Sequence, residues 1–135
     1  MISDKENPQM KLIRKKTPKS HSLECVKNYT KTISELILSG YKLVIYGPVA
    51  SSINGVVIDK YSSYGSCIER NMATNRFNEL MKTECEKLKI HFVSIFEEMI
   101  NEKYETLPNF LMDDIHLSAD YLPNITKKIK KQIPL

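Results

Sequence analysis

The chain has 135 residues, of which 41% are apolar and 27% charged, with a formal net charge of +4. This suffices for one domain with a modest core but not for two, and the apolar share excludes a chain that is disordered throughout. The basic excess gathers at the ends, in Lys11, Arg14, Lys15, Lys16 and Lys19 and again in Lys127, Lys128, Lys130 and Lys131. No aromatics are interleaved there for base stacking, so solvated tails are predicted and nucleic acid is not an expected partner.

Residues 1–20 are polar, basic and broken by Pro8 and Pro18, and predict an extended arm ahead of a domain spanning 21–135. From Ser22 to Ser39, Leu23, Val26, Tyr29, Ile33, Leu36 and Ile37 recur at helical intervals, and Gly40 stands where a helix commonly stops. Tyr41–Tyr46 is a short β-rich run closed by Gly47-Pro48 and predicts a buried strand. Residues 49–67 read as irregular. A second helix is expected over Ile68–Lys89, with Ile68, Met72, Phe77, Leu80, Met81, Cys85 and Leu88 on its apolar face. Ile90–Phe96 predicts the second strand, Glu97–Asn101 a helical turn, and a last helix begins between Ser118 and Pro123 with Leu122, Ile125 and Ile129 as its buried stripe. That order is the order of an α/β layered fold with parallel strands, although two strands are few for such a sheet.

Cys25, Cys67 and Cys85 are odd in number, widely spaced, and form no Cys-x-x-Cys pair. Free thiols in a reducing compartment account for them, and with no export signal in residues 1–20 a cytoplasmic location is expected. No run is long and apolar enough to span a bilayer. Pairing His21 with Cys25, or Asp113 with His116, supplies two ligands and does not close a metal site; neither a metal nor another cofactor is expected.

The chemistry-bearing segment is Asp113-Asp114-Ile115-His116-Leu117-Ser118. Imidazole has the pKa a general base needs, and a carboxylate three residues earlier can fix its tautomer. Read alone, this spacing is equally that of an acid capping a turn beside a surface histidine. Its setting adds weight: it follows the last strand and precedes the last helix, and open α/β sheets gather their chemistry on loops beyond the carboxyl ends of their strands. Phe110, Leu111 and Met112 are expected to anchor the loop on one side and Leu117 on the other.

Several blocks in register resemble the C-terminal half of the SGNH hydrolases, also called GDSL-type esterases. They are the helix from Val26 through Leu36, Leu43–Tyr46 with Gly47-Pro48, Glu69–Ala73, Phe77–Leu80, Phe92–Phe96 and Asp113–Ser118, together spanning about Cys25 to Leu122. The resemblance implies a partial three-layer α/β/α fold of flavodoxin-like type, with a short parallel sheet and the N-terminal strands missing. It also implies a Ser-His-Asp ester-hydrolase site, acting on acyl or carbohydrate esters, in which His116 is the base and Asp113 its orienting acid. The family's Gly-Asp-Ser-like nucleophile block and its oxyanion-hole Gly and Asn have no counterpart here. Ser66 sits between a loop and a helix without the strained turn a nucleophile occupies, and Ser51 and Ser52 are no better placed. The expectation is a truncated relative, inert alone. The alternatives are half of a split esterase completed by a second chain, and a non-enzymatic basic binding module. An incomplete sheet also predicts self-association.

Overall fold

The computed structural model describes residues 18–54, 65–113 and 116–133. Helix α1 (Pro18–Leu38) leads into strand β1 (Val44–Tyr46), helix α2 (Cys67–Leu88) and strand β2 (His91–Val93). Three 3-10 turns follow, at Phe96–Met99, Pro108–Phe110 and Ala119–Tyr121, and helix α3 (Leu122–Gln132) closes the order. The fold is mixed α/β, mostly helical, around a two-stranded parallel sheet pairing Val44 with His91, Ile45 with Phe92 and Tyr46 with Val93. Among the described residues no helix is long and apolar enough to cross a membrane.

Local chemistry sets the boundaries. α1 ends in a Schellman motif: Tyr41 N–H donates to the Leu36 carbonyl at 3.1 Å and Gly40 N–H to that of Ile37 at 2.9 Å, with Gly40 at φ 90°. Only a residue without a Cβ takes that conformation freely. α2 opens on a capping box, in which Ser66 Oγ accepts from Glu69 N–H and Glu69 Oε2 accepts from Ser66 N–H at 2.9 Å. It closes with Lys89 in the left-handed region, at φ 57° and ψ 39°.

Two apolar clusters hold the elements together. Val26 and Ile33 of α1 meet Met81 and Cys85 of α2, joined by Leu43, Ile45, Ile90 and Phe92 from the sheet's near face. Tyr29 and Phe77 add an edge-to-face contact at 5.7 Å between centroids. The second cluster takes Ala50 from beyond β1 and Ile95, Phe96 and Met99 from beyond β2, and packs Phe110, Leu111, Leu117 and Ile125 against them.

Several expectations need correction. The strands are three residues each, not six or seven, because parallel pairing stops at Gly47 and Ser94 on one end and finds no further partner on the other. α1 begins at Pro18, so the last residues assigned to the arm are helical; the remainder of the arm, residues 1–17, lies outside the described residues. Ile68 and Met72 are exposed, as are Leu23, Tyr29 and Leu36 of α1 and Leu122 of α3. Helical periodicity identifies a face, but two short strands are too narrow to cover the whole of it. The turn expected at Glu97–Asn101 is the 3-10 turn Phe96–Met99. None of the three cysteines is in a disulfide, with Cys85 buried and Cys25 and Cys67 half-buried.

Candidate active site

The Asp/His loop follows β2 and the 3-10 turn Pro108–Phe110 and is closed by a hairpin-like stem. Leu111 and Leu117 form an isolated antiparallel bridge, Met112 N–H donates to the His116 carbonyl at 2.8 Å, and Ser118 N–H donates to that of Phe110 at 2.9 Å. Leu111 and Leu117 turn into the second cluster and root the stem beyond the carboxyl ends of both parallel strands. Phe110 also stacks on Tyr121 with centroids 4.2 Å apart, and Asn109 Nδ2 donates to Tyr121 Oη at 3.0 Å, so the segments flanking the loop are tied to each other. Met112, expected as an anchor, is 70% exposed: side chains alternate along extended backbone, and its neighbour Leu111 is the one turned into the second cluster.

At the tip, one carboxylate holds one residue twice. Asp113 Oδ1 accepts the main-chain N–H of His116 at 2.6 Å, and Asp113 Oδ2 lies 2.7 Å from His116 Nδ1. An ionised carboxylate can only accept, so a neutral ring making this bond carries its proton on Nδ1 and keeps the Nε2 lone pair, the arrangement a general base requires. The main-chain bond is also the turn cap that a non-catalytic reading assigns to Asp113; the same side chain serves both. Both side chains are more than half exposed, and an exposed polar pair of this kind adds little stability. Its consequence is orientation. Asp114 and Ile115 lie outside the described residues.

Among the described residues, the hydrogen bonds of His116 run to Asp113 and Met112, and none reaches a serine hydroxyl. Of the three candidate serines, Ser66 and Ser51 use their hydroxyls elsewhere. Ser66 caps α2, and Ser51 Oγ accepts from Arg70 Nε at 2.6 Å. Ser52 is buried, with its carbonyl accepting from Arg70 Nη2 at 2.8 Å.

A second polar group organises the segment after β1, centred on Asn71, whose role as a hub the resemblance through Glu69–Ala73 did not reveal. Asn71 is fully buried on α2. Its Oδ1 accepts from Ser51 N–H at 2.8 Å, while Nδ2 donates to the Tyr104 carbonyl at 2.8 Å and to Thr106 Oγ1 at 2.9 Å. Thr106 Oγ1 donates in turn to the Ser51 carbonyl at 2.7 Å. An asparagine amid a helix's polar positions is an ordinary surface residue in one dimension; only the approach of two distant loops makes it a hub. A separate, mostly apolar cavity of about 510 Å³ lies between α1, β1 and α2, lined by Cys25, Tyr29, Tyr46 and Phe77 among others, and contains neither Asp113 nor His116.

No family model, no curated protein and no solved structure matches this chain.

Proposed function

We propose that this chain is the acid–base half of a serine ester hydrolase of the SGNH/GDSL type, with His116 as general base and Asp113 as its orienting acid, and that alone it turns over esters negligibly. The observation carrying this reading is the two-point grip of Asp113 on His116, at 2.6 Å to the main chain and 2.7 Å to the ring. In that role Nε2 takes a proton from an attacking hydroxyl and returns it to the leaving alcohol, while Asp113 stabilises the imidazolium. The loop's seat beyond the carboxyl ends of two parallel strands supports the same reading. So does the arrangement of helices: α1 and α2 pack on the face carrying Ile45 and Phe92, while Val93, on the alternate face of β2, is fully buried and α3 approaches β2. A partial three-layer α/β/α domain accounts for both.

The inertness follows from what the base lacks. In a hydrolase triad, loss of the nucleophile costs on the order of 10⁶ in rate, and an oxyanion-hole donor contributes about 2.7–4 kcal/mol. The test is twofold. Nitrogen-15 NMR should find His116 protonated at Nδ1 and not at Nε2, with that preference lost in Asp113→Asn; an Nε2–H tautomer in the unaltered chain would remove the base. The purified chain should hydrolyse p-nitrophenyl acetate no faster than His116→Ala, so saturable turnover abolished by that substitution refutes the missing nucleophile.

A further inference from the structure

The stem that presents Asp113 and His116 has little pairing of its own. Its ladder is the bridge between Leu111 and Leu117 with the two main-chain bonds that flank it. A two-stranded ribbon of that length is marginal in water. The grip at the tip is exposed and adds little. Leu111 and Leu117 root the stem from within, and what closes its base lies further along the chain.

Ser118 turns the chain back on itself. Its Oγ accepts from Asp120 N–H at 3.4 Å and its carbonyl accepts from Tyr121 N–H at 3.2 Å. The 3-10 turn that results lays the Tyr121 ring on Phe110, with centroids 4.2 Å apart and planes 17° from parallel. Phe110 is also the residue whose carbonyl accepts from Ser118 N–H, so ring stack and main-chain bond close the stem at the same level. Tyr121 is fixed from behind as well. It leads directly into α3, where Ile125 packs in the second cluster and Lys128 Nζ donates to the Ser94 carbonyl at 3.0 Å and pairs with Glu98.

We infer that Tyr121 is a positioning residue: its ring, clamped on Phe110, keeps the stem closed and thereby holds Asp113 on both of its bonds to His116. It acts through the stem and not on the proton being moved. Its bearing on chemistry rests on the reading of His116 as general base, whereas the clamp itself does not. The ring carries the effect. A stacked aromatic pair contributes beyond the area it buries, while the exposed bond from Asn109 Nδ2 to Tyr121 Oη exchanges for water at little cost.

Nitrogen-15 NMR of the full chain reads the clamp at two places, the solvent exchange of the His116 main-chain N–H and the tautomer of its ring. Expected in Tyr121→Ala is exchange about tenfold faster, with the Nδ1–H preference weakened toward an even mixture. Tyr121→Phe keeps the ring and stays within about twofold of the unaltered chain. Tyr29→Ala removes a different ring contact, that with Phe77 in the other cluster, and leaves both readouts unmoved. Should Tyr121→Ala lose its helical circular dichroism, Tyr121→Leu retains apolar bulk without the planar stack and is expected to loosen the tip in the same way. His116 signals indifferent to loss of the Tyr121 ring overturn the inference. So does Tyr29→Ala moving them equally, since the effect is then a general loosening. An Nε2–H ring in the unaltered chain removes the base but not the clamp, which main-chain exchange then decides alone.

Discussion

Asn71 and Asn78 stand seven residues apart on α2 with opposite energetic consequences. All polar atoms of the Asn71 carboxamide are partnered, and through Ser51, Tyr104 and Thr106 it joins the segment after β1 to the loop before the Asp/His stem. Asn71→Ala strands buried main-chain groups and is expected to cost about 2–4 kcal/mol, read as a lowered urea midpoint. Asn78 is 8% exposed, and neither Nδ2 nor Oδ1 has a partner among the described residues. An apolar replacement removes that desolvation cost, so Asn78→Leu should stabilise the chain by about 1 kcal/mol in the same measurement. At the tip, the exposure of Asp113 and His116 predicts that Asp113→Asn changes ring tautomer and leaves global stability within about 0.5 kcal/mol.

At the scale of elements, helix ends follow their sequence signals closely. Ser66 with Glu69, and Gly40 after the α1 stripe, mark boundaries that any backbone would honour. Lys89 is the exception, a side-chain-bearing residue in the left-handed position that closes α2. Lys89→Gly relieves the Cβ clash there and is expected to raise stability by about 0.5–1 kcal/mol, seen as a higher melting temperature. Gly47 illustrates the converse. A Cβ on it would lie 2.6 Å from Phe92 Cζ and 3.1 Å from Asn78 Oδ1, so the turn after β1 is bare because the strands' own packing demands it. The strands were overextended when read from their β-rich runs, since ladder length depends on a neighbour that no local run reports.

For the molecule as a whole, burial leaves an alkaline signature. Burial, and secondarily Glu84, holds the Cys85 thiol above its ordinary value of 9.0; burial, and then Glu98, holds the Tyr46 phenol above 10.0. Unfolding lowers both to their ordinary values, so above pH 9.0 the folded chain retains protons that the unfolded chain has lost. Stability therefore falls as pH rises from about 8 to 10.5, with the Cys85 contribution entering first. In denaturant titrations at stepped pH, Cys85→Ala should remove the early part of that decline.

The amino-acid sequence by itself determined the order of helices and strands, their capped ends, and the Asp113/His116 spacing, because each is written in contiguous residues whose chemistry acts over a few positions. Tertiary structure alone decided which apolar stripes find cover, that Met112 and Leu122 stay in solvent, that Asn71 becomes a buried hub, and that one carboxylate grips both the main chain and the ring of His116. These depend on segments tens of residues apart meeting at the end of a narrow sheet, and periodicity along a chain holds no record of how wide that sheet is.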